Sequence, residues 1–150
     1  MPSGVIFSLG KDFPFKKVAN LFNAIICNPP FFKQSLKSPN ASKNLVLHED
    51  NLPLSYVLDF IKANLTEEGS AFLLLPASRK EEILILLYKE NLFPKKMIEV
   101  RQTPAHTPFR LFLKIGKEER LVIDEDLIIK SVDEYTDDFK YYLKDYYLYL

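Results

Sequence analysis

Residues 53–76 read PLSYVLDFIKANLTEEGSAFLLLP and predict a helix that leads into a buried strand. From Pro53 to Asn64 the apolar side chains recur at helical spacing, at Leu54, Val57, Leu58 and Ile61. Glu67-Glu68-Gly69 then predicts a turn, and Ala71 to Leu75 predicts a strand that Pro76 ends. A helix followed directly by an apolar strand is typical of an α/β domain.

The segments on both sides extend this alternation. Phe22 to Cys27 (FNAIIC) is short and apolar and precedes prolines, which predicts a buried strand. Residues 32–51 are polar and without period, which predicts a long loop. After Pro76, Ser78 is the expected cap of a helix through Asn91, with an apolar face of Ile83, Leu86 and Leu87 that Tyr88 could extend. The order strand, helix, strand, helix indicates a parallel sheet.

The remaining sequence predicts further strands and a closing helix. We expect strands at Met97 to Gln102 and Phe109 to Ile115, with a short one at Leu121 to Ile123. Asp133 to Leu150 predicts a helix capped by Thr136, whose many tyrosines we expect to pack against the core. Because no linker or repeat interrupts the chain, we expect one domain.

Composition sets limits on the function. Of 150 residues, 47% are hydrophobic and 27% charged, which is typical of a globular protein. The 20 basic and 20 acidic side chains cancel, so any phosphate-binding surface must be a local patch. The single cysteine, Cys27, permits no internal disulfide, and no Cys/His spacing suits a metal. We expect a reducing, cytoplasmic setting, with neither secretion nor membrane insertion.

Asn28-Pro29-Pro30-Phe31 follows the strand and suits chemistry on an amine. The lone pair of an exocyclic amine is delocalised into the ring, so a site must hold the nitrogen in its more nucleophilic form. The Asn28 side-chain oxygen and the Pro29 carbonyl can accept the two amino hydrogens, while Phe31 can stack on a flipped base. The alternative is a simple turn after a strand, since Asn-Pro is common in turns.

The tetrapeptide resembles the catalytic signature of class I amino-methyltransferases. Four segments extend the resemblance to the bacterial tRNA(Val) adenine-N6 methyltransferases: FNAIICNPPFF at 22–32, LTEEGSAFLLLP at 65–76, RLVI at 120–123 and YTDDFKYYLKDYYL at 135–148. The resemblance implies the C-terminal half of a Rossmann-like sheet, mostly parallel with an antiparallel strand near the end. It also implies S-adenosylmethionine as methyl donor, tRNA as partner and Asn28, Pro29, Pro30 and Phe31 as catalytic residues.

Several further residues are candidates for substrate binding: Phe32, Lys33, Lys43, His48 and Arg110. Lysines and arginines at 33, 37, 43, 95, 96, 101 and 110 suit either an RNA-facing patch or an ordinary solvated surface. For His48 and His106 the loop context favours surface or packing roles, whereas for Cys27 the position within the strand favours a core role. One family feature is altered, because Leu47 stands where the family tends to have a basic residue.

The family's glycine-rich donor turn has no counterpart before Phe22, since Gly4 and Gly10 do not form the required spacing. We therefore expect a fragment or truncated product that leaves one edge of the strand at Phe22 to Cys27 exposed, and that dimerises through this edge. Two alternatives remain open. One is glutamine-N5 methylation of a protein, which uses the same tetrapeptide, and the other is a non-catalytic module that binds RNA or dimerises.

Overall fold

The computed structural model describes residues 5–6, 21–28 and 53–146, which form a mixed α/β fold around a six-stranded sheet. Its spatial order is β1-β2-β3-β5-β4-β6. Only β5 runs opposite to the other five strands, being antiparallel to both β3 and β4. This arrangement confirms the predicted mostly parallel sheet with one antiparallel strand near the end. The strands are β1 (Val5–Ile6), β2 (Phe22–Cys27), β3 (Leu65–Pro76), β4 (Phe93–Arg101), β5 (Arg110–Gly116) and β6 (Ile123–Ile128).

Two helices, α1 (Leu54–Asn64) and α2 (Lys80–Lys89), connect β2 to β3 and β3 to β4. Both connections advance in the same direction across the sheet, so the right-handed crossover rule places both helices on one face. The alternate side chains of the strands point to that face and are buried with the helices. The largest fully buried side chains include Ile25, Leu58, Ile61, Leu73, Leu75, Ile83, Leu87, Leu111, Leu113 and Ile115.

The helix after Pro76 begins later than the sequence predicted. Ser78 does not cap it, because residues 77–79 form a short 3-10 turn and the N-cap position falls on Arg79, with no side-chain cap. The helix also ends early, at Lys89, because Asn91 adopts a left-handed φ of 54°. Of the predicted apolar face, Ile83 and Leu87 are fully buried and Leu86 is partly buried.

The predicted turn at Glu67-Glu68-Gly69 is wrong, because these residues lie inside β3. The strand pairs with β2 at Leu65 and again at Ser70, whereas β2 advances only from Phe22 to Ala24 over the same interval. The extra residues of β3 therefore bulge out of the parallel ladder. The polar segment that suggested a turn is accommodated as a strand irregularity.

Of the strands after α2, β4 and β6 differ from their predictions, whereas β5 agrees to within one residue. β4 begins at Phe93, four positions before the predicted Met97, because Phe93 and Pro94 still pair with the end of β5. β6 begins at Ile123, where the predicted strand ends, and Leu121 is 96% exposed. Because residues 124–126 are acidic, the sequence did not predict a strand there. These residues belong to β6, which pairs with β4 at the outer edge of the sheet.

The closing helix is shorter than the predicted Asp133 to Leu150. The chain first makes a hairpin of β7 (Lys130–Ser131) and β8 (Glu134–Tyr135), and α3 then spans Asp137–Leu143. The predicted cap is confirmed, since Thr136 Oγ1 accepts a hydrogen bond from the Phe139 amide at 3.2 Å. Residues 147–150 lie outside the described residues.

The tyrosines of this segment do not close the core as predicted. Tyr141, Tyr142 and Tyr146 are 66%, 45% and 82% exposed, and no residue of α3 is buried. Their spacing suggested an apolar face, but α3 has only seven residues and approaches the sheet at its β6 end. Tyr147 and Tyr149 lie outside the described residues.

The edge predicted to be bare at β2 is occupied in part. β1 pairs with β2 in parallel, with Val5 opposite Ile25 and Ile6 opposite Ile26. The expectation that β2 ends the sheet on that side is therefore wrong, because the short apolar run near the start of the chain supplies a neighbour. Across the described segments, no helix has the length and apolar character needed to span a membrane.

Candidate active site

The candidate site lies where the parallel strands end. Asn28 directly follows β2, and its side chain is exposed at the carboxyl edge of the sheet. In α/β sheets, ligands bind in crevices outside the carboxyl ends of the strands. Cys27, the residue before it, is paired with Leu73 of β3, so β2 holds Asn28 next to a central strand.

Most of the other predicted site residues belong to the segment between β2 and α1. Pro29, Pro30, Phe31, Phe32, Lys33, Lys43 and His48 lie outside the described residues. Their roles remain predictions from the sequence. Within the described segments, the structure places two of the candidates, Asn28 and Arg110, at the same edge of the sheet.

Arg110 reaches this edge because β5 is antiparallel and starts where β3 ends. It pairs with Pro76 of β3 and with Val100 of β4. Alternation along β5 puts Arg110 on the same face as Phe112 and Lys114. That face is opposite the one covered by α1 and α2, since Leu111 and Leu113 are buried in the core. Asn28 and Arg110 lie two strands apart, a lateral separation of about 10 Å.

The loop between β4 and β5, residues 102–109, is tied to the sheet by Arg101. The Arg101 Nε donates to Asp126 Oδ1 on β6 at 2.8 Å, and its Nη1 donates to the His106 carbonyl at 3.3 Å. Within the loop, Thr103 Oγ1 lies 2.7 Å from His106 Nδ1. The predicted packing role of His106 agrees with this contact, and Arg101 links the loop to β6.

The lysine pair at 95 and 96 is also engaged within the protein. Lys95 Nζ donates to the Gly69 carbonyl at 3.1 Å. Lys96 Nζ lies 2.9 Å from Glu125 Oε2, and this hydrogen bond raises the pKa of Lys96 above its ordinary value. Of the described members of the proposed basic patch, Lys96 and Arg101 are paired with carboxylates, whereas Lys95 and Arg110 have no carboxylate partner within the described segments.

A cavity of about 440 Å³ lies between α3 and the sheet face that carries Phe112. Its walls are mainly apolar, with Lys96 and Lys114 at the rim, and Lys114 Nζ lies 5.8 Å from the centre of the Phe72 ring. The same face of the sheet continues from the cavity toward β2. There, Ile26, Phe72 and Phe112 are 44%, 37% and 45% exposed. This apolar face lies on the side of the sheet opposite to α1 and α2.

Cys27 is a core residue, as predicted. It is 1% exposed, and burial raises the pKa of its thiol to about 12. A thiol with so high a pKa remains protonated near neutral pH and is a poor nucleophile. The described segments also contain no group of three or more His, Cys, Asp or Glu side chains that could hold a metal ion.

The described residues of the carboxyl edge do not make a donor pocket on their own. A nucleoside-type methyl donor needs close backbone approach at a glycine-rich turn and a carboxylate for its ribose. The two glycines in the described segments, Gly69 and Gly116, lie near the opposite edge, one at the start of β3 and the other at the end of β5. We therefore derive no step through the donor from this geometry.

Phe109 is a site residue that the sequence did not single out. Its ring is 42% exposed at the same edge as Asn28, and the Arg110 guanidinium carbon lies 5.7 Å from the ring centre. The sequence pattern predicts that this residue lies in a strand, whereas β5 begins one position later. The available signal was an aromatic residue directly after the proline-rich loop and directly before an arginine.

Comparison with known proteins finds relatives in sequence and in fold. No protein-family model matches the chain. A tRNA1(Val) (adenine(37)-N6)-methyltransferase of Aliivibrio salmonicida is 28% identical over 130 residues, covering 87% of this chain and 56% of that protein. An enzyme of the same name from Christiangramia forsetii is 33% identical over 130 residues, covering 85% of this chain and 53% of its own. The chain is similar in sequence to these adenine-N6 methyltransferases.

The chain spans little more than half the length of these two curated relatives. A solved structure of a predicted O-methyltransferase from Agrobacterium tumefaciens superposes with a TM-score of 0.56 at 15% identity. The superposition covers 78% of this chain and 48% of that one. At this identity the match shows the fold, which is that of the Rossmann-like class I methyltransferases.

Proposed function

We propose that the protein transfers a methyl group from S-adenosylmethionine to the N6 amine of an adenine in tRNA. The observation that carries the proposal is the position of Asn28, the first residue of the Asn-Pro-Pro-Phe sequence. Asn28 is exposed directly after β2, at the carboxyl edge of a methyltransferase-like sheet. The names of the curated relatives supply the substrate class. Such a substrate also agrees with the cytoplasmic setting expected from the sequence.

The proposed role of Asn28 is to hold the amine. Its side-chain oxygen accepts one amino hydrogen, and the carbonyl of Pro29 accepts the other, which favours the nitrogen lone pair that points toward the incoming methyl group. Phe31 stacks on the extruded base. No strong general base is required, because the amine proton becomes acidic only as the new bond forms.

The donor supplies an electrophilic methyl group when it is bound. The chain's own contribution, in this proposal, is confined to the acceptor: it binds the adenine, orients its amine and excludes water from the face of the base. Calorimetry with S-adenosylmethionine tests whether the 150 residues bind the donor. A saturable heat with one site per chain supports methyl transfer by this polypeptide.

The substrate is tested with radiolabelled S-adenosylmethionine and two acceptors. One is a tRNA1(Val) transcript, with a matched transcript that carries guanine in place of adenine at position 37. The other is a folded protein that exposes a glutamine, which tests the glutamine-N5 alternative. We expect label in the first transcript alone. Label in the protein, with none in RNA, would overturn the adenine assignment.

A second candidate is a non-catalytic module that binds RNA or forms a dimer. It is favoured by one observation, namely that the described residues at the carboxyl edge do not form a donor pocket. No donor heat and no label, together with retained binding of the transcript, would support this candidate. Light scattering tests the proposed homodimer, for which a mass of twice 17.5 kDa is expected.

A further inference from the structure

We propose that Phe109 and Arg110 form a clamp for the RNA nucleotide next to the target adenine. Phe109 stacks on the base of this neighbour, and Arg110 binds a phosphate beside it. The inference rests on the proposed function, and it adds a contact that separates an RNA substrate from a protein substrate.

The backbone of Phe109 is held from both sides. Its amide donates to the Val100 carbonyl at 2.9 Å, and its carbonyl accepts from the Ala77 amide at 3.4 Å. The ring is nevertheless 42% exposed. An aromatic side chain on a fixed backbone is a suitable stacking platform, because little conformational freedom is lost when a base lies on it.

The guanidinium of Arg110 is available for an anion. It lies over the Phe109 ring, with 5.7 Å between Cζ and the ring centre, and its Nη1 donates to the Phe109 carbonyl at 3.3 Å. By contrast, Arg101 on the neighbouring strand is neutralised by Asp126. The planar guanidinium can donate two parallel hydrogen bonds to a phosphate while it stays stacked on an aromatic ring.

The position of Arg110 suits contact with the nucleotide next to the target adenine and not with the target base itself. Asn28 and Arg110 are separated by two strand spacings, about 10 Å, which a single base cannot bridge while its amine remains at Asn28. The nucleotide next to the target is connected through one phosphate and can reach this distance in an unpaired loop. A glutamine side chain of a protein offers no second ring and no phosphate at this point.

Base stacking is tested with 2-aminopurine, whose fluorescence responds to stacking. We would place it in a tRNA1(Val) transcript on either side of position 37, one position at a time, and titrate with the 150-residue chain. At one of the two positions we expect a fluorescence change that Phe109→Leu abolishes, with affinity for the transcript lowered about 5- to 100-fold. Phe109→Tyr keeps the ring and should restore both.

The matched control is Tyr88→Leu, which removes another half-exposed ring, on α2 and away from the site. It should leave binding unchanged. For Arg110→Gln, the slope of log affinity against log salt should fall by about 0.7, as expected for one phosphate contact to a single strand. Wild-type behaviour of Phe109→Leu would overturn the clamp while leaving the proposed function intact. A wild-type chain that binds no transcript would overturn both.

Discussion

Arg101 Nε lies 2.8 Å from Asp126 Oδ1, so a side chain of β4 joins β6 to the loop that precedes Phe109. The same guanidinium donates to the His106 carbonyl, and the Ile129 amide in turn donates to the Arg101 carbonyl at 2.9 Å. These bonds connect the outer edge of the sheet with the candidate substrate surface. Their consequence is a loop that is fastened to the sheet in part by one partly exposed ion pair.

Asp126→Ala should loosen this loop with little effect on global stability. Because both side chains are partly exposed, the pair contributes only about 0–1 kcal/mol to the free energy of unfolding. Hydrogen exchange should quicken at the amides of residues 103 and 105–107, while the core strands stay protected. Asp124→Ala, on the same strand, is the control. Unchanged exchange in the loop would show that Arg101 does not anchor it.

The sequence predicted what depends on local pattern and missed what depends on pairing. The apolar periodicity of Leu54 to Ile61 gave α1, and the run Ala71 to Leu75 gave the centre of β3, since burial requires these patterns. It could not reveal the bulge at residues 66–69, because the partner strand sets that register. The acidic β6 was misplaced for the same reason, as its pairing with β4 overrides its weak strand propensity.

The residues of the candidate site fall into the same two groups: those that the local sequence predicts and those that only the folded sheet reveals. The motif predicted Asn28 from its amide group and its position directly after an apolar strand. Phe109 was missed because its importance comes from the antiparallel direction of β5, which returns the chain to the carboxyl edge. Likewise, only the folded sheet shows that Arg101 and Lys96 are paired with carboxylates. Sequence alone could not separate these residues from Arg110, which has no carboxylate partner within the described segments.

Gly69→Ala should destabilise the β3 bulge. A Cβ at this position would lie 2.8 Å from both Leu65 Cδ1 and Thr66 Oγ1, and Leu65 is fully buried and cannot move aside. We expect a loss of about 1–3 kcal/mol in the free energy of unfolding, measured by urea denaturation. Ser70→Ala, at the next position, is the control and should change little. Equal stability of Gly69→Ala and wild type would show that the bulge relaxes freely.

Cys27 should make stability fall at alkaline pH. The folded state keeps its thiol protonated because burial raises its pKa from 9.0 to about 12, whereas the unfolded chain loses the proton above 9.0. This contribution is fully present below pH 9.0 and is lost as pH rises toward 12. The difference in stability between wild type and Cys27→Ala should therefore shrink by up to about 1.4 kcal/mol per pH unit in that window. A difference independent of pH would contradict the assignment.

Val132→Asn should raise the melting temperature. Val132 sits in the two-residue turn between β7 and β8 with a φ of 58°, where a β-branched side chain is strained, and it is 87% exposed. Asparagine tolerates this left-handed conformation, so we expect a gain of about 1 kcal/mol. Val132→Ala removes the branch but keeps the strain of a non-glycine Cβ, so it should gain less. A lower melting temperature for Val132→Asn would show that the turn is not strained.

The most direct test of the central claim is methyl transfer to a tRNA1(Val) transcript by wild type and Asn28→Ala, with the modified nucleoside identified by mass spectrometry. We predict N6-methyladenosine at position 37 for wild type and a rate at least about 100-fold lower for Asn28→Ala. Asn23→Ala, which removes the same side chain from the other end of β2, should keep the wild-type rate. Equal rates for Asn28→Ala and wild type, or no N6-methyladenosine from wild type, would contradict the account.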